Sequence, residues 1–158
     1  MIIATNPALF NIQDVYYCKP IRNKIMTGGM FIRLIYSNQL ASINGIHVSF
    51  SITGRVQEIY SSKFKFFYDN DTDNYSISLL QDIENNLLNS ADIKHRNPQY
   101  KLREQLSAGF FKFFQNNSTK VGKINNATIN TTFVLKISGI WTGVKEYGVT
   151  FRFFFIRQ

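Results

Sequence analysis

Three short stretches of this sequence interleave phenylalanine with lysine or arginine: Lys63-Phe64-Lys65-Phe66-Phe67-Tyr68, Phe110-Phe111-Lys112-Phe113-Phe114 and Phe151-Arg152-Phe153-Phe154-Phe155-Ile156-Arg157. A strand sends successive side chains to opposite faces, so such a run places one set of rings in a core and shows its cations to solvent. Aromatic residues also favour extended backbone. The runs therefore point to a β-rich fold. The sequence holds 15 Phe, more than the interior of one small barrel needs, so some rings are expected on a surface.

Other segments repeat the period of two. Val48, Phe50 and Ile52 alternate with His47, Ser49, Ser51 and Thr53. Phe133, Leu135 and Ile137 oppose Lys136 and Ser138, and Val149, Phe151, Phe153 and Phe155 oppose Thr150 and Arg152. Phe31 to Tyr36 reads as a further strand, with Gly28-Gly29 as the loop before it. Thr142, Gly143, Lys145, Glu146 and Gly148 read as the hairpin joining the last two strands. Between these strands the period changes. Leu80, Ile83, Leu87 and Ala91 recur at helical spacing, and Ser78 with Gln81 forms a candidate capping box. A second helix is expected to start at Asn97-Pro98, bury Leu102 and Leu106 and end near Gly109. No internal repeat or linker divides residues 1–158. The expectation is one mainly β domain with inserted helices (α+β): an OB-fold, a small Greek-key barrel with a helical insertion around 75–108.

Charge narrows the functional classes. Lys and Arg number 18 against 10 Asp and Glu, a formal charge of +8. Residues 61–100 carry −2, whereas residues 101–158 carry +7. Clustered cations beside rings suit a polyanion, because they replace the counterions condensed on phosphates while the rings stack on bases. One Cys and two His exclude a disulfide framework and a zinc finger. The first ten residues lack a signal-peptide pattern, and no uncharged apolar run approaches the roughly 18 residues of a membrane span. An intracellular protein without membrane association is expected.

Catalytic motifs are weak. Asp69, Asp71 and Asp73 open like a calcium loop, but Asn74 stands where glycine is needed and Leu80 where the bidentate glutamate belongs. His47, His95 and Cys18 have no partner at a motif spacing, and no phosphate-binding or dinucleotide loop occurs. A binding protein without cofactor or metal is expected rather than an enzyme.

The run Phe133-Val-Leu-Lys-Ile-Ser-Gly-Ile-Trp141, followed by Glu146-Tyr-Gly-Val-Thr-Phe-Arg152, resembles the closing motif of the single-stranded-DNA-binding proteins of nucleocytoplasmic large DNA viruses. Those proteins are regarded as relatives of the replication single-stranded-DNA-binding protein of T-odd phages. Tyr17-Cys18-Lys19-Pro20, the loop through Gly28-Gly29 and Phe31 to Tyr36 look like the same family, as does the placement of Leu79 to Leu88 and Leu102 to Phe114 in a helical insertion. The resemblance implies an OB-fold and the sequence-independent coating of single strands during viral DNA replication, recombination or repair, in the host nucleus or a cytoplasmic virus factory. It implies Trp141 and Tyr147 as an aromatic pair at the turn, and Lys136 and Arg152 as basic strand positions. Whether Trp141 stacks on bases or fills the barrel end stays open. The acidic C-terminal tail of the phage proteins is not matched by Phe155-Ile-Arg-Gln158.

The remaining candidate contacts are Lys19, Arg22 and Lys24 around the basic loop, Arg33, Lys63, Lys65 and Lys112 on strands, and Lys145 in the hairpin. The expected partners are single-stranded DNA or RNA, replication proteins and a second copy of the chain. The rival expectation is a viral assembly protein that uses its Phe-rich strands as a protein–protein interface.

Overall fold

The computed structural model describes residues 4–69, 74–115 and 127–156. Its strands and helices run β1 (Val15–Tyr17), β2 (Ile21–Arg22), β3 (Met30–Ser37), β4 (Ser42–Asn44), β5 (Ile46–Tyr60), β6 (Lys63–Tyr68), α1 (Asn74–Ser90), β7 (Asn97–Gln99), α2 (Lys101–Ser107), β8 (Phe110–Phe114), β9 (Thr128–Thr142) and β10 (Glu146–Ile156). All three ring-and-cation runs are strands. Asp71 and Asp73 of the calcium-like run, and Arg157, lie outside the described residues.

Five strands close into a barrel in the order β5-β6-β8-β10-β9 and back to β5. Neighbours are antiparallel except β8 and β10. Counted within the barrel, the ring runs one-two-three-five-four, the Greek-key order of an OB-fold, with the helices inserted between the second and third strands. β3 continues the edge of β9 beyond β5, pairing Met30–Arg33 with Thr142–Gly139, and carries β1, β2 and β4 at its sides.

The register fixes how the barrel is sheared. His47 of β5 faces Lys136 of β9, and Lys136 faces Arg152 of β10. The Phe153–Phe113 pair then sets Arg152 beside Lys112 of β8, Lys112 faces Lys65 of β6, and Lys65 faces Gln57 of β5. One circuit that starts at residue 47 returns to β5 at residue 57, a stagger of ten. Ten residues at about 3.3 Å against five strands at about 4.8 Å tilts the strands by roughly 54° to the axis. A line drawn straight across the strands therefore climbs along the barrel rather than circling it.

The interior is a phenylalanine cluster. Phe111 stacks on Phe153 with ring centroids 4.2 Å apart, meets Phe133 edge-on at 4.8 Å and stacks on Phe66 at 5.5 Å. Seven Phe are buried, and Phe10, Phe151 and Phe155 pack partly buried against them. Phe31, Phe67, Phe110, Phe114 and Phe154 remain outside, as the excess of rings required.

The helices close one side of this core. α1 buries Ile77, Leu80, Ile83, Leu87 and Leu88, and α2 buries Leu102 and Leu106. Tyr17 Oη donates to Leu87 O at 2.8 Å, and burial raises its pKa to about 12; Tyr68 Oη donates to Leu106 O. Glu84 of α1, fully buried, accepts from Leu102 N and Arg103 N at 2.9 Å each and so caps α2 from a neighbouring element. Three local expectations are corrected. Asn97-Pro98 does not start a helix; it forms β7, parallel to β10, and α2 starts at Lys101. Ser78 does not cap α1, because α1 already begins at Asn74. Gly109, at φ 85°, does end the second helix. Phe110–Phe114 is strand rather than part of the helical insertion. Among the described residues, no helix is long and apolar enough to cross a membrane.

Two predictions follow from the core. Phe111→Ala empties the centre of the ring cluster and should cost about 3–5 kcal/mol in urea denaturation. Burial raises the pKa of Glu84, outweighing the Arg103 and Leu102 N–H donors and the Arg103 charge that lower it. The folded state thus keeps this proton to higher pH than the unfolded chain does. The stability so contributed is complete below the ordinary value of 4.5 and is lost as pH rises through the raised one. Denaturation of Glu84→Gln across that range should show the variant gaining on the wild type as pH increases.

Candidate nucleic-acid interface

The outer face of β5, β6 and β8 presents three rows of side chains in register. The first is Arg55, Phe67 and Phe110; the second is Gln57, Lys65 and Lys112; the third is Tyr60, Lys63 and Phe114. Between the outward positions Phe64, Phe66, Phe111 and Phe113 enter the core, so alternation alone sorts rings of one run between inside and outside. Lys65 Nζ lies 4.8 Å from the Phe110 ring centroid, and Lys63 Nζ lies 5.2 Å from that of Tyr60 and 5.8 Å from that of Phe114. These are cation–π distances, and they hold the ammonium groups at the surface beside the ring planes. Phe67 and Phe110 touch each other at 5.7 Å.

A second basic face lies on β3, β9 and β10. Lys136 and Arg152 are directly opposed, and Arg33 stands opposite Gly139 on the other edge of β9. Two shallow hollows, about 310 and 260 Å³, meet here and share Lys136 and Ser138; Arg33 and Phe31 line the first, and Arg152 and Phe154 the second. Ser138 has no partner on β10, where the pairing steps from Gly139 to Ile137. This bulge reverses the alternation of β9. Trp141, which would share the inward face of Phe133 and Leu135, turns outward instead. Its ring lies over Gly148, where a Cβ would come within 2.9 Å of Trp141 Cζ2 and 3.0 Å of Gln99 O. Trp141 thus does not fill the barrel.

The charges are placed against their own repulsion. Like charges directly opposite across a sheet are destabilising, yet Lys65 faces Lys112 and Lys136 faces Arg152. Among the described residues, no carboxylate lies within ion-pair distance of any of the four. His47, opposite Lys136, has its pKa lowered by burial first and then by the lysine charge, against a hydrogen bond with Gly45, which leaves the ring uncharged at neutral pH.

The remaining expected residues divide. Lys19, Arg22 and Lys24 are exposed on the segments around β2, and Lys145 is exposed in the turn between β9 and β10. They border the end of the barrel where Met26 packs against Gly143, away from the three-row face. Tyr147, expected at the interface with Trp141, is 7% exposed and belongs to the core. It continues the inward series of Val149, Phe151 and Phe153, and its hydroxyl pKa is raised, by burial first and by Tyr100 second. Sequence reasoning passed over Arg55, Tyr60, Phe67, Phe110 and Phe114 as contacts, although three of them lie within the interleaved runs. It also missed Arg96, whose Nε donates to Gly143 O at 2.7 Å and holds the turn of Lys145. Among the described residues, no group of three or more His, Cys, Asp or Glu could hold a metal ion. No protein-family model, curated protein or solved structure matches the chain.

Lys112→Glu converts the Lys65–Lys112 repulsion into an attraction. It should raise stability by about 0.5 kcal/mol at low salt, and the gain should shrink as ionic strength rises in parallel denaturation curves.

Proposed function

We propose that this protein binds single-stranded DNA without sequence preference, in the replication, recombination or repair of a viral genome. The observation that carries this reading is the outer face of β5, β6 and β8, where cations and outward-facing rings stand side by side in register. β6 and β8 are the second and third strands of the barrel, the face with which OB-folds take oligonucleotides. A base has a ring plane whatever its identity, and stacking contributes about 1–3 kcal/mol per base. Phosphates carry no sequence information either. Rings and cations together thus grip a strand and read nothing from it. A duplex hides its base planes and offers such a face only its phosphates.

The family resemblance of Phe133–Trp141 and Glu146–Arg152 supports DNA as the ligand and replication proteins as partners. The reading requires no catalytic group or cofactor. The rival reading, an assembly interface, needs a contiguous apolar patch. Here the row of Lys65 and Lys112 separates Phe67 and Phe110 from Tyr60 and Phe114. RNA offers the same phosphates and bases, so competition between matched DNA and RNA oligomers decides that preference.

Anisotropy of labelled oligo-dT should show binding whose log affinity falls with log salt. The four cations of this face, Arg55, Lys63, Lys65 and Lys112, contribute about −2.8 to that slope. Lys65→Glu with Lys112→Glu should weaken binding at least tenfold. An absence of binding at low salt, or equal affinity for duplex, would overturn the reading.

A further inference from the structure

The register joins the two basic faces. Lys65 faces Lys112, Lys112 stands beside Arg152 across the β8–β10 seam, and Arg152 faces Lys136. These four cations form one line across four adjacent strands, spaced by about 4.8 Å from strand to strand. Because the strands tilt steeply, that line climbs along the barrel rather than circling it, and it crosses from one face to the other at the β8–β10 seam. Resting on the proposed single-strand binding, we infer that the bound strand follows this line. Its phosphates run from Lys65 through Lys112 and Arg152 to Lys136, so that one strand engages both basic faces.

Three observations converge on this path. The first is the repetition of like-charge pairs: one directly opposed pair lies on each face, and both fall on the same line. The second is the distribution of rings. The Phe113–Phe153 pair that aligns Lys112 with Arg152 also aligns Phe114 with Phe154. Tyr60, Phe114 and Phe154 therefore flank the cations on one side across the seam, giving bases a set of planes beside the phosphates. The third is shape. The hollows that meet at Lys136 and Ser138 lie on the line and extend it to Arg33 beyond the Ser138 bulge. A strand confined to the face of β5, β6 and β8 would use none of Arg152, Lys136 or Arg33.

The path predicts that one oligomer engages both pairs of cations. Oligo-dT of about 15 nucleotides, within the range that OB-folds occupy, is titrated into the wild type and Lys136→Glu/Arg152→Glu across salt concentrations. The wild type should bind one oligomer per chain, and the variant should lose at least tenfold in affinity. Its salt slope should flatten by about 1.4, two phosphate contacts at 0.7 each. The neutral pair Lys136→Gln/Arg152→Gln, checked for an unchanged thermal transition, should show the same flattening with a smaller loss. An unchanged slope, or two oligomers bound per chain, would overturn the shared path while leaving single-strand binding intact. Failure of the wild type to bind the oligomer would overturn the functional reading and the path with it.

Discussion

A sheet of five strands that closes on itself has little freedom of register. Each strand must pair on both sides, and the ring must return to its start with a whole number of residues of stagger. In this protein the closing contacts fall to β10, which is antiparallel to β9 along most of its length and parallel to β8 at Phe153 and Phe113. Packing makes the same demand from inside. Phe111, Phe133 and Phe153 meet at 4.2 to 6.2 Å with Phe50 and Phe66. A slip of one residue in any of these strands would exchange its buried rings for its cations. The same constraint therefore builds the core and sets the positions of Lys65, Lys112, Lys136 and Arg152 on the surface.

The period of two was legible because it is a local property. Runs such as Lys63–Tyr68 and Val149–Phe155 show which residues face inward without reference to any partner. The same logic, extended two residues, would have placed Tyr147 in the core with Val149; its position beside a motif tryptophan suggested otherwise. β7 was not legible. Asn97-Pro98 has the local signature of a helix start, and becomes a strand by pairing with Glu146–Gly148, nearly fifty residues away. The outward turn of Trp141 was hidden for a related reason. It depends on one unpaired residue, Ser138, which shows itself in the alignment of two strands rather than in either alone.

The candidate site was legible as composition and not as geometry. The sequence showed that rings and cations lie near one another along the chain. It did not show that Lys65 would face Lys112, or that Arg55, Tyr60, Phe67 and Phe110 would complete the rows, since each of those relations joins different strands. Resemblance pointed to Lys136, Trp141 and Arg152, while the interleaved runs pointed to Lys63, Lys65 and Lys112. They led to different faces of one barrel, and the register is what relates the two.

The lysines resting on rings carry a further implication. Lys65 sits over Phe110, and Lys63 is shared between Tyr60 and Phe114. On the proposed single-strand binding, a base that stacks on one of these rings must evict the ammonium group from it. The displaced cation would then swing toward the nearest anion, the phosphate of the arriving nucleotide. Stacking and ion pairing would thus be successive holders of one aromatic plane, each gained by giving up an internal contact. Substitutions of a ring and of its lysine should in consequence be strongly non-additive, since either one already breaks the exchange.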